Sequence, residues 1–122
     1  MPDFYFFNQE IQVEDFSATF DYLEYSNAIL VIISERTPKI GTISLSAPFF
    51  DSKAVSGQAL GQKFSLEAQA ISQYLSTKTG KISFVSLHVE IVPPQFLKVL
   101  FQTIENLRGA FKKSAKNQNS AG

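Results

Sequence analysis

Six successive residues, Ala28-Ile29-Leu30-Val31-Ile32-Ile33, are all apolar and mostly β-branched. A strand of that kind has no water-facing side and requires cover both above and below. The rest of the chain must supply that cover or leave it to another molecule. The run is far too short to cross a bilayer, which takes about 20 apolar residues, so it belongs in a sheet.

The flanking segments read as strands with one apolar side. From Phe16 to Tyr25, residues Phe16, Ala18, Phe20 and Tyr22 alternate with Ser17, Thr19 and Asp21, and Ser26-Asn27 makes a two-residue turn into the apolar run. The polar segment Ser34 to Lys39 contains Pro38 and reads as a loop. Ile40 to Ala47 returns as a strand, with Gly41, Ile43, Leu45 and Ala47 on one side and Ile40, Thr42, Ser44 and Ser46 on the other. Three consecutive strands of this kind predict an antiparallel meander. Phe4 to Val13 suggests one or two short extended pieces divided at Asn8-Gln9-Glu10. Pro48 to Lys63 reads as irregular, with Phe49, Phe50 and Leu60 stranded among polar residues.

The stretch Gln58 to Val89 organises the second half. Ser65 is placed to cap a helix in which Ala68, Ile71 and Leu75 recur at helical spacing, with Glu67 in the first turn and Thr79-Gly80 as the stop. Lys81 to Val92 alternates as a strand, and Pro93-Pro94 opens a final helix with an apolar stripe of Leu97, Leu100, Phe101, Ile104, Leu107 and Phe111. The polar residues after Lys113 are predicted to fray, so residues 1–113 form one domain and 114–122 a flexible tail. The expected fold is α+β, a single antiparallel sheet of about five to six strands with two helices on one face. Such a sheet is about 25 to 29 Å wide, and two helices of ~10 Å diameter cover it only once. Its other face would stay apolar and bare unless a partner stacked on it, as two sheets pack in a sandwich.

Composition removes several function classes. The 122 residues suit one domain, and 44% hydrophobic residues with twelve Phe provide an ordinary core without metal or disulfide staples. Eleven basic and eleven acidic side chains cancel, leaving no field to recruit nucleic acid or an anionic membrane. Zero cysteines exclude a disulfide frame, a thiolate metal site and a thiol nucleophile. The apolar patch Phe4 to Phe7 follows an acidic residue and is shorter than a signal-peptide core. The expectation is a soluble protein of cytosol or nucleus.

No residue pattern supplies a reaction centre. His88, the one histidine, shares a strand face with Glu90, yet no nucleophile motif accompanies the pair, and Ser86 on the same strand is not a triad member. Gly57 and Gly61 followed by Gln62-Lys63 fail as a phosphate loop in glycine spacing, in the place of the lysine and in the missing Ser/Thr after it. The basic residues Arg108, Lys112, Lys113 and Lys116 suit a helix C-terminus. The expectation is therefore no enzyme, no cofactor and no metal, with a third reading, a small hydrolase or isomerase using His88, resting on that residue alone.

Short motifs in fixed order carry a resemblance to the proteasome assembly chaperones. Val55-Ser56, Leu60-Gly61 and the helix end Leu75-Ser76-Thr77-Lys78-Thr79-Gly80-Lys81 running into Phe84-Val85-Ser86 look like chaperone 4 of that family, as does Asp15-Phe16-Ser17-Ala18. Lys39-Ile40-Gly41-Thr42 and Ser44-Leu45 look more like its paralogue, chaperone 3. The likeness runs from Asp15 to Leu107, with Gln62-Lys63-Phe64 less hydroxyl-rich than the usual family loop. It implies a non-enzymatic chaperone that pairs with its paralogue as a heterodimer, docks on the α-ring of the nascent 20S core near the fifth α subunit, and leaves as β subunits join. On that basis the dimer face is expected around Phe20, Tyr22, Val31, Ile43 and Leu45, and the α-subunit contact around Phe49, Phe50 and Leu60. A homodimeric adaptor or trafficking module using a similar sheet is the alternative of a different class.

Overall fold

The computed structural model describes residues 5–49, 53–60 and 63–121, with side chains in 5–47 and 63–110. Its elements run β1 (Tyr5–Val13), β2 (Phe16–Glu24), β3 (Ala28–Ser34), β4 (Thr42–Phe49), β5 (Lys53–Leu60), α1 (Ser65–Thr79), β6 (Ile82–His88) and α2 (Phe96–Ala121). The strands form one six-stranded sheet in the order β1-β2-β3-β6-β4-β5. Both helices pack on the same face of it, with α1 over β4, β5 and β6 and α2 toward β1.

The α+β architecture is as the sequence predicts, but the sheet is mixed. Every neighbouring pair is antiparallel except β3 with β6, which run parallel from Ala28↔Ile82 to Ser34↔His88. The expected meander of three consecutive strands stops at β3, because β6 inserts between β3 and β4. Parallel neighbours need a crossover of a dozen or more residues, and the β4–β5–α1 segment provides it. A strand apolar on both sides gains most from an interior place with both edges paired, which β3 obtains between β2 and β6.

Two segments are more regular than their composition suggests. β1 is unbroken through Asn8-Gln9-Glu10 and pairs with β2 from Tyr5↔Glu24 to Val13↔Phe16; at a sheet edge these three side chains stay exposed. Residues 53–60, expected to be irregular, form the other edge strand against β4, with a register shift between Ile43 and Ser44. Their few apolar side chains leave little periodicity to read, so the ladder to β4 defines the strand.

Helix boundaries follow local chemistry. Phe64, in left-handed backbone (φ 59, ψ 37), holds the N-cap position of α1 without a side-chain cap bond, so Ser65 is the first helical residue rather than the cap. Gly80 ends α1 at φ 70, its N–H donating to the Ser76 carbonyl at 2.8 Å. α2 buries Phe96, Leu100 and Ile104 fully, with Leu97, Val99, Phe101 and Leu107 packed at the margins. Its backbone stays helical through the polar residues after Lys113 to Ala121.

The core beneath the helices has two characters. Toward β1 and β2 it is mainly apolar: Ile11, Val13, Phe16, Phe20 and Tyr22 share one buried cluster with Phe96, Leu100 and Ile104 of α2, and the Phe16 and Phe96 rings meet edge to face at 5.5 Å. Beneath α1 it is a seam of buried hydroxyls. Ser72 lies 2.9 Å from Ser44 and 2.7 Å from Ser46, and Ser76 lies 2.9 Å from Ser83 and donates to the Ser46 carbonyl at 3.1 Å. Small side chains let α1 approach β4 and β6 closely, and mutual hydrogen bonding offsets the cost of burying them.

Candidate partner-docking face

The pairing registers assign every described strand residue to a face. On the helix side Tyr22, Val31, Val85 and Ser44 stand in one row and Phe20, Ile33, Leu87 and Thr42 in the next. One residue along, on the side without helices, Phe6, Leu23, Leu30, Phe84 and Leu45 line up across five adjacent strands. At ~4.8 Å per strand the row spans ~19 Å. Phe6 is 53% exposed, Phe84 40% and Leu45 37%, while Leu23 and Leu30 are half-buried by their neighbours. Ala28 with Ile82 below and Ile32 with Ile43 above widen the row over β3, β6 and β4.

Polar residues frame this apolar surface. On β1 and β2 the same face carries Asn8, whose Nδ2 donates to Asp21 Oδ1 at 2.6 Å, and Ser17, whose hydroxyl donates to Glu10 Oε1 at 2.8 Å. At the far end of β3 and β6 it closes with Ser34, His88 and Ser86, the last accepting the Gly41 N–H at 2.9 Å. Gly41 is required there, since a Cβ would lie 2.3 Å from the Leu87 carbonyl oxygen. An apolar centre within a polar rim is the arrangement of a protein–protein interface.

The residues expected at the dimer face divide between the two sides. Ile43 and Leu45 lie on the open face. Phe20, Tyr22 and Val31 lie on the other, fully buried under the helices, and have no surface to offer a partner. Alternation shows that these residues share faces in sets but not which set the helices claim. Leu23, Leu30 and Phe84 take their place on the open face; the apolar neighbours Leu30 and Ile32 of Val31, and Phe84 beside Val85, were the signal available in the sequence.

The expected α-subunit contact is also dispersed. Phe49 pairs with Lys53 at one end of the β4–β5 hairpin, and Leu60 pairs with Ile43 at the other; six strand steps of ~3.3 Å separate them by ~20 Å. Phe50 lies outside the described residues.

Behind the open face, a buried carboxylate ties the sheet to α2. Glu24 accepts hydrogen bonds from the Tyr22 hydroxyl at 2.5 Å, Lys81 Nζ at 2.6 Å, and Arg108 Nε and Nη2, each at 3.3 Å. Burial alone would raise its pKa, but Arg108, Lys81 and Tyr22 outweigh burial and hold it below the usual carboxylate value. Burial and the adjacent Glu24 push the Tyr22 hydroxyl up. Every group in the cluster is paired within the chain, so it reads as a structural clasp.

His88 and Glu90 do not form an acid/base pair. Glu90 Oε1 faces Arg36 Nη1 at 3.9 Å, and His88 Nδ1 is buried with no hydrogen-bond partner among the described residues. Among the described residues no group of three or more His, Cys, Asp or Glu side chains is placed to hold a metal ion. No described helix is long and apolar enough to cross a membrane.

No protein-family model and no curated protein matches the sequence. The fold does match a solved one. A chain from the crystal structure of a novel chaperone complex for yeast 20S proteasome assembly superposes with a TM-score of 0.64, over 92% of this chain and 97% of that one. Identity is 11%, so the shared property is the fold, over nearly the full length of both chains.

Proposed function

We propose that this protein is a non-enzymatic chaperone for assembly of the 20S proteasome, working as a heterodimer in which a paralogous sheet covers the open face. The observation that carries the reading is the bare apolar row Phe6–Leu23–Leu30–Phe84–Leu45 on a fold shared with a chain of a proteasome-assembly chaperone complex. The partner completes a two-sheet sandwich, with sheets ~10 Å apart. Within this reading the chain acts on the α-ring, near the fifth α subunit, and departs as β subunits join. The motif resemblance supports chaperone 4, with chaperone 3 of the same pair as the alternative. Phe49, at the last described pair of β4 with β5, is assigned together with Phe50 to the α subunit, and Ile43 and Leu45 with Leu23, Leu30 and Phe84 to the paralogue.

Affinity purification of the tagged chain from lysate tests this. The expected result is a small paralogous protein together with proteasome α subunits. Phe84→Arg and Leu45→Arg are expected to lose the paralogue, because an unpaired charge at the centre of a buried interface is strongly unfavourable. Recovery of vesicle or scaffold proteins in place of proteasome subunits overturns the reading.

A further inference from the structure

We propose that Thr37, in the β3–β4 loop, is a phosphoacceptor for a proline-directed protein kinase. Of the five prolines, only Pro38 follows a Ser or Thr; the others follow Met1, Ala47, Val92 and Pro93. Proline has no N–H, and its ring drives the preceding residue into extended backbone. Thr37 lies at a bend outside the sheet ladders, so a kinase groove can take the Thr-Pro dipeptide with no ladder hydrogen bond to break.

The surroundings meet the remaining requirements. Residues 36–40 are all exposed, and Arg36, at φ 68, turns the chain away from the end of β3. The loop is held at its base, where the Glu35 N–H donates to the His88 carbonyl at 3.0 Å and Glu35 Oε1 accepts the Glu90 N–H at 3.1 Å. Among the described residues the Thr37 hydroxyl finds no hydrogen-bond partner, whereas the hydroxyls of Thr42, Thr79 and Thr103 each donate to a backbone carbonyl and the core serines are buried. Thr37 borders a depression of about 170 Å³ shared with Arg36, Lys39 and His88.

Transfer moves the γ-phosphoryl group of ATP to Thr37 Oγ1. The Oγ1–P bond forms as the bond to the β,γ-bridging oxygen breaks, ADP leaves, and the hydroxyl proton passes to the kinase's catalytic aspartate. The product carries about −1.5 to −2 charges between Arg36 and Lys39. Among the described residues Arg36 pairs only with Glu90, in a long, exposed contact that a dianion displaces. The phosphate then stands at the end of the sheet where Ser34 and His88 close the open face.

The test incubates the purified full chain with a proline-directed kinase and ATP, and reads intact mass and fragment spectra. The expected result is one added phosphate, located at Thr37 and lost in both Thr37→Val and Pro38→Ala. Circular dichroism of each variant confirms the fold, which an exposed loop substitution leaves intact. An unmodified chain alongside a Thr-Pro control peptide that is phosphorylated, phosphate at another residue only, or undiminished incorporation in Pro38→Ala, overturns the proposal.

Discussion

Val31 and Leu30 are adjacent residues of one strand and equally apolar, yet Val31 is sealed beneath the helices and Leu30 lies in the bare row. The difference is repeated in every interior strand: Tyr22 against Leu23, Val85 against Phe84, Ser44 against Leu45. The helix side holds the core of the chain, and the other side carries no helix. Adjacent side chains thus have opposite surroundings, according to which face the two helices reach.

Substitutions that separate the two faces test this division. The largest effect on stability is expected at Phe20, fully buried on the helix side. Phe20→Ala should cost about 3–5 kcal/mol in urea unfolding, through lost burial and the cavity left behind. If it costs no more than a surface change, the assignment of faces is reversed.

Glu24→Gln comes next, at about 3 kcal/mol. That is the lower end for a broken buried pair, because Lys81 and Arg108 keep 21% and 22% of their side-chain surface in water. It also has a pH signature. The folded carboxyl titrates below its unfolded value, so its contribution is present above the unfolded pKa, about 4.3, and is lost as pH falls through the folded one. Acidification below about pH 4.5 should destabilise the parent chain more than Glu24→Gln, and equal acid sensitivity would remove the clasp from the account.

Ser72→Ala distinguishes the hydroxyl seam from the hydrocarbon core on the same side. Losing its contacts with Ser44 and Ser46 should cost about 1–3 kcal/mol in thermal or urea unfolding, as expected when buried polar partners are removed. A stabilised variant would show that the seam is a packing compromise and not a bonded network. The smallest effect on the isolated chain is expected on the open side: Phe84→Arg should change stability by less than about 0.5 kcal/mol while abolishing paralogue binding. A large loss of stability there would mean that the open face is shielded within this chain.

Much of the architecture was readable because the strands carry period-2 patterns and the helices carry stripes and stops: β2, β3, the Gly80 terminus and the Pro93-Pro94 lead into α2 lie where the pattern places them. The strand at residues 53–60 was not readable, since its edge position tolerates a weak pattern and its identity comes from hydrogen bonds to β4. The candidate face was half readable. Ile43 and Leu45 fall on the side without helices, but Phe20, Tyr22 and Val31 were interchangeable with Leu23, Leu30 and Phe84 on pattern alone.

The amino-acid sequence by itself determined that this chain builds a sheet too apolar for its own two helices to cover, because side-chain period and helix number are local properties. Only the tertiary structure decided that β6 enters between β3 and β4 and which face the helices close. Both depend on contacts between residues distant in the chain, where one step along a strand exchanges the covered side for the open one.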